Sequence, residues 1–236
     1  MQAALRTVFT QWGLPAAIRV DNGWPWGSAS DLPPPFALWL RGLGIEVLPN
    51  HPHRPQENGI VERFHGLFAP WVEPSTCPDF ATWDERLAWL TRLQRERYPA
   101  CQGQSRLAAW PTLACVSRPY APAAEVARWD LSRVTAYLAQ GLWPRQVDKV
   151  GRITLYHRTY SVGRSYAGQR VFVRFDPTPP TWVIQEASGR ELRRHPAAEI
   201  TAERICALEV SHVKPSQRRP PATQLADSTA TYLYGG

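Results

Sequence analysis

The apolar periodicity of this chain changes along its length, from helical spacing broken by short strands to two-residue alternation after residue 140. In the first part, residues 2–12 put Leu5, Val8, Phe9 and Trp12 on one helical face, and Gly13-Leu14-Pro15 ends the run. Ala17-Ile18-Arg19-Val20 reads as a short buried strand closing at Asp21, and a turn-rich segment, 22–35, follows. Residues 36–43 resume a helix and 45–48 form a second strand. A proline- and histidine-rich loop, 49–56, leads to a third helix from about Asn58 to Val72. Such alternation predicts an α/β unit with a parallel component.

Thr82-Trp83-Asp84-Glu85 has the form of a capping box and predicts a helix from there to about Arg97, with Leu87, Leu90 and Leu93 as its apolar stripe. Residues 99–128, rich in proline, alanine and glycine, read as a connector, and Asp130 is placed to cap a helix over 131–140. Beyond it, 152–157, 170–175 and 181–186 alternate as strands between Gly or Pro turns, which predicts a small β-barrel. Residues 211–236 lack periodicity and are expected to be a disordered tail. The resulting divisions are 1–75, 76–140, 141–210 and 211–236.

Charge separates the two halves. Residues 1–140 hold 13 arginines against 12 acids, whereas 141–236 hold 14 cations against 8 acids; only Lys149 and Lys214 are lysines. A basic, arginine-rich second half fits either a polyanionic partner or a solvated basic face. The four cysteines form no CxxC pair, so neither a zinc site nor a disulfide framework is expected. No apolar stretch is long enough to span a bilayer, and the first residues have no signal-peptide pattern, so no membrane association and a cytoplasmic location are expected.

Two segments carry the chemistry: Ile18-Arg19-Val20-Asp21-Asn22-Gly23, and Pro55-Gln56-Glu57-Asn58-Gly59-Ile60-Val61-Glu62-Arg63-Phe64-His65. Each has a plainer reading. Asn-Gly after a strand is commonly a hairpin turn, though Trp24-Pro25-Trp26-Gly27 does not return as a strand. A lone helix glutamate commonly faces solvent. Together and in order, the segments strongly resemble the second and third blocks of the DDE integrase core shared by bacterial insertion-sequence transposases and retroviral integrases. Trp12-Gly13-Leu14-Pro15 and Leu43-Gly44-Ile45 agree with that pattern. The resemblance covers about residues 1–72. A looser one, to transposase C-terminal barrels, covers about 141–195.

The resemblance implies part of a ribonuclease-H-like core, a helical connector and a small SH3-like barrel. It implies Mg2+ or Mn2+ held by Asp21 and Glu62, and cleavage and joining of double-stranded DNA by a homo-oligomer when the protein is complete. Glu57 lies 36 positions after Asp21 and Glu62 lies 41 after it; the N-G-x-x-E-R context selects Glu62. On the third helix, Ile60, Phe64, Leu67 and Trp71 are expected to face the core, with Glu62 pointing away and Gly66 and Ala69 keeping its face low. Arg63 and His65 are candidate phosphate contacts; Arg63 could equally be a surface ion-pair residue and His65 a solvated one. In the barrel, Arg145, Lys149, Arg152, Arg158, Arg164, Arg170 and Arg174 are candidate DNA contacts. The family also uses an earlier aspartate on the opening strand of the core. Residues 1–20 contain no acid, so an N-terminally shortened core with two of three carboxylates is expected. Two rivals stand beside this reading: a DNA-binding fragment that occupies element ends or pairs with an intact enzyme, and a ribonuclease-H-like nuclease without strand transfer.

Overall fold

The computed structural model describes residues 1–21, 23, 26, 32–51 and 55–210, apart from the side chains of Pro55, Glu57 and Ile60. The expected turn-rich segment 22–35 and loop 49–56 lie partly outside the described residues, and the expected tail 211–236 wholly so.

Helix α1 (Gln2–Trp12) leads into β1 (Ala17–Val20), α2 (Pro35–Gly42) and β2 (Glu46–Pro49). The two strands pair in parallel, with Ala17 opposite Glu46 and Val20 opposite Pro49. A parallel pair needs a crossover, and α2 lies within it. Phe36, Ala37, Leu38, Trp39 and Leu40 are all nearly inaccessible. A helix apolar all round must be enclosed on all sides, and α2 is.

Next come α3 (Gly59–Phe68), α4 (Phe80–Glu96) and α5 (Arg106–Ala109). Helix α4 starts two residues before the expected Thr82. Asp79 is its N-cap and accepts from the Thr82 amide at 2.7 Å. The expected core-facing stripe of α3 is also corrected: Leu67 and Trp71 are 43% and 49% exposed, whereas Phe68 is 2% exposed. Phe68 packs its ring edge-to-face on Tyr98, centroids 5.0 Å apart, and Trp71 stacks on Trp89 of α4. The apolar face of α3 thus turns toward α4, and Val61, Trp89 and Phe80 add to the exposed apolar surface of this lobe.

The connector is pinned to the core at several points. Arg118 donates to the carbonyls of Pro15, Leu43 and Gly44, holding together the starts of β1 and β2. Helices α6 (Glu125–Arg128) and α7 (Leu131–Leu138) follow. Asp130 caps α7 as expected, accepting from the Ser132 amide at 2.8 Å. The Trp129 indole lies so close to α2 that a Cβ on Gly42 would meet it at 2.1 Å. Only glycine fits there.

Glu125 is 5% exposed and joins three parts of the chain. It accepts from Arg6 of α1 at 2.6 and 2.9 Å, from the Trp39 indole of α2 at 3.2 Å, and from the Tyr120 hydroxyl. Burial pushes its carboxyl toward the neutral form, but the bonds from Arg6, Tyr120 and Trp39 outweigh that and hold it below the usual carboxylate range. The same burial and the same carboxylate push Tyr120 up to about 12.

After α7, β3 (Leu142–Gln146) is followed by the hairpin β4 (Arg152–Leu155) and β5 (Arg158–Ser161), then β6 (Arg170–Pro177), β7 (Pro180–Gln185), β8 (Glu191–Pro196) and α8 (Ala202–Cys206). Strands β3, β6, β7 and β8 form one antiparallel sheet in the order β3-β6-β7-β8, while β4 and β5 pair separately. The expected barrel is therefore met as antiparallel structure, without a ladder that closes among the described residues. The hairpin leans on the sheet through His195 Nε2 and the Ser161 carbonyl, 2.7 Å apart. Beneath it, the wholly buried Glu199 accepts from the Tyr160 hydroxyl and, at 2.7 Å, from the Trp182 indole. One apolar core runs from Phe9 through Trp39, Val134 and Leu138 to Trp182 and Ile205, so the α/β unit and the antiparallel sheet share it. No described helix is long and apolar enough to cross a membrane.

Candidate functional site

Asp21 is exposed and directly follows Val20, the buried last residue of β1. Its two carboxyl oxygens lie 3.5 and 3.7 Å from where a Cβ on Gly23 would stand, so the chain folds closely back over the acid. The next link is Asn50, just past β2. Its amide donates to the Val20 carbonyl at 2.9 Å, extending the parallel ladder. Its side-chain Nδ2 donates to Asn58 Oδ1 at 2.5 Å. Asn58 precedes the first residue of α3 and makes no side-chain cap bond to it. The polar side chains thus tie the end of the β1–β2 pair to the start of α3.

Glu62 stands one turn on from Asn58, in the first turn of α3, and is exposed. An acid there is favoured by the helix dipole. Gly59 and Gly66, three before it and four after it, have nothing within 4 Å of a notional Cβ, so the helix surface beside Glu62 is bare. The sequence reading placed Glu62 away from the apolar face, and its exposure agrees. The link through Asn50 was missed; an asparagine at a strand end has many uses, and nothing in its neighbours marks this one.

Asp21 and Glu62 offer carboxylate oxygens on open surfaces, the donor type and access that Mg2+ uses when it keeps several waters and substrate phosphates as its other ligands. A dedicated cage is not present: among the described residues no group of three His, Cys, Asp or Glu side chains could hold an ion.

Arg63 and His65 diverge from Glu62. Arg63 is exposed, has no ion pair among the described residues, and lines a cleft against Tyr98 and Trp110. His65 is exposed, with its ring 5.9 Å from that of Phe64.

The seven basic candidates of the second half fall into two groups. On the outer face of the sheet, Arg174 lies 3.7 Å from Glu191, and Arg194 bridges Glu191 at 2.8 Å and Asp176 at 2.9 Å. These acids neutralise that patch, and Arg174 loses its standing as a free cation. Arg145 pairs with Val171 in register and so shares the inner face; it is half-buried and donates to the Pro144 carbonyl. By contrast, Lys149, Arg152, Arg158, Arg164 and Arg170 are exposed and have no ion pair among the described residues. Backbone geometry gathers four of them. A Cβ on Gly151 would lie 2.6 Å from the Arg164 amide, which brings the turn carrying Lys149 and Arg152 against Arg164. Val147 exchanges backbone bonds with Gly168 and Gln169, setting Arg170 beside the same turn. The acid of that turn, Asp148, is occupied in accepting from the Val150 and Arg152 amides. Arg158 stands at the far end of the hairpin, opposite Leu155. The sequence marked all seven cations alike, because pairing with Glu191 or with an inner face depends on register that alternation does not set.

No family model matches this chain.

Proposed function

We propose that this chain is a DNA-processing protein of the DDE transposase and integrase type, with Asp21 and Glu62 as two of its metal-binding carboxylates. The observation that supports it most is the tie from the end of β1 through Asn50 and Asn58 to the start of α3, which serves both acids at once. In this reading residues 1–75 are the later part of a ribonuclease-H-like core, and 141–210 are a barrel-like DNA-binding module. The free cations around Gly151 and Gly163 meet the phosphate backbone of duplex DNA. A Mg2+ or Mn2+ ion would be held by Asp21 and Glu62, and when bound it would activate water or a 3′-hydroxyl and stabilise charge on the scissile phosphate. Asp21 and Glu62 would position that ion, and the Asn50–Asn58 bond joins the strand end beside Asp21 to the start of the helix that carries Glu62. Homo-oligomerisation belongs to the complete protein of this type.

The test is a salt titration of the whole chain against duplex DNA. The shared core makes the whole chain the proper subject, since a cut at residue 140 would strip α7 from β6. With five free cations, three to five phosphate contacts give a slope of log affinity on log salt of roughly −3 to −5. Replacing Lys149, Arg152 and Arg164 by alanine should reduce the slope by roughly 2 to 3, while Arg194→Ala should leave it nearly unchanged. A slope near zero for the unsubstituted chain would reject the reading.

The second reading, a DNA-binding fragment without activity of its own, is favoured by the lack of any acid among residues 1–20, which lead into and form β1. It predicts no joining of a labelled DNA end with magnesium or manganese. Metal-dependent joining that disappears in Asp21→Asn would exclude it and leave the catalytic reading standing.

A further inference from the structure

An open cleft of about 810 Å³ lies between α3, α4 and α5. Its aromatic walls include Phe64, Tyr98 and Trp110, its cations are Arg63 and Arg106, and no carboxylate lines it among the described residues. Gln94, from α4, also lines the cleft and is only 5% exposed. Its Oε1 accepts from Arg106 at 2.5 Å, and its backbone carbonyl accepts from the same nitrogen at 2.9 Å. That pairing fixes which end of the amide is which. The remaining Nε2 is buried and has no hydrogen-bond partner. A buried N–H without an acceptor is costly, and such a group in a native structure calls for an explanation.

The cleft specifies its occupant by chemistry. Two guanidinium groups with no ion pair among the described residues ask for negative charge, the rings ask for a flat partner, and Gln94 Nε2 asks for an acceptor on it. A nucleotide whose base is unpaired meets all three requirements, with a π-face for stacking, acceptors on its edge and a phosphate for arginine. A base inside a duplex does not, because both its faces are already stacked. Arg63 adjoins Glu62 in sequence, so a strand crossing α3 can reach the cleft from the carboxylate side.

We propose that the α3–α4–α5 cleft holds one unpaired nucleotide of a DNA strand, its base stacked on the aromatic wall and accepting from Gln94 Nε2. This rests on the DNA-processing reading above. The test compares three probes on the whole chain by fluorescence anisotropy: a blunt duplex, the same duplex with a short thymidine overhang, and that overhang made abasic. The thymidine overhang should bind about 10-fold more tightly than the abasic one, the range expected for one stacked base. Trp110, 54% exposed, can be changed without disturbing the core; Trp110→Ala should abolish the difference and leave blunt-duplex affinity unchanged. Gln94→Leu, which removes the unsatisfied donor together with the bond from Arg106, should do the same. Equal binding of the two overhangs, or an undiminished preference in Trp110→Ala, overturns the cleft proposal while blunt-duplex binding persists. Failure to bind any of the three overturns the DNA reading and the cleft proposal together.

Discussion

Glu125→Gln should cost the chain about 3 kcal/mol of stability, the lower end of the range for breaking a buried ion pair. The lower end applies because the Arg6 side chain remains one-third exposed and is partly rehydrated when its partner is lost. Glu125 is the shared acceptor of α1, α2 and the Tyr120 loop, so the substitution loosens three contacts at once. The pH dependence follows from the direction of its shift. The folded carboxyl lies below its unfolded value, so its stabilisation is present above the ordinary carboxylate range and is lost as pH falls through the folded value. Urea unfolding at neutral and acidic pH should therefore show the parent and Glu125→Gln converging as pH is lowered. An unchanged midpoint at neutral pH would show that the pair contributes nothing. The double replacement Arg6→Met with Glu125→Leu should recover much of the loss, since removing both members leaves no charge stranded.

Trp182→Ala should be at least as damaging, at about 3–5 kcal/mol. Trp182 is inaccessible and lies at the centre of the antiparallel sheet's inner face, against the rings of Trp143, Tyr156 and Phe175. Truncation leaves a cavity among side chains that are fixed by the sheet and cannot collapse into it. It also removes one of the donors to the buried Glu199. Trp182→Phe separates the two effects, retaining most of the ring volume but not the N–H. It should cost about 1–3 kcal/mol, mainly for the hydrogen bond lost to Glu199, which keeps the one from Tyr160. Chemical denaturation reads both; equal losses for the two variants would show that the hydrogen bond, not packing, dominates.

Both variants report on the arrangement that presents the candidate surfaces. Helix α2 is enclosed between the parallel pair and α7, and α7 in turn lies on β6. A weakening on either side of this stack is transmitted to the other through close-packed side chains. Loss of Trp182 should thus lower duplex affinity and disturb the β1–β2 end together, whereas Arg194→Ala at the sheet surface should do neither.

Local signals were enough for much of this protein. Helix α1 and strand β1 lie where period and breakers placed them, because Gly13-Leu14-Pro15 leaves the chain no helical continuation. Asp130 announced α7, since a short acid before an apolar run satisfies the helix's open amides wherever the helix packs. Strands β6 and β7 were legible because they are the inner strands of their sheet: β6 alternates buried with half-buried residues, and β7 is a short run buried throughout its middle. The exposure of Glu62 also followed from periodicity alone.

Tertiary structure decided the rest. Strands β3 and β8 escaped detection because they are edges, where polar residues and a proline such as Pro144 are tolerated. The β4–β5 hairpin turns at Tyr156-His157, both at positive φ, with no glycine or asparagine to mark it. It is held by distant partners, the Pro33 carbonyl that accepts from Tyr156 and the Trp182 ring beside it. The facing of α3 toward α4 was settled by Phe68 meeting Tyr98, thirty residues on, and the sorting of arginines into free and paired by strand register. Local propensity and periodicity specify which segments become helices or strands. Which surface each one covers depends on long-range contacts, and those depend on where every other element has already packed.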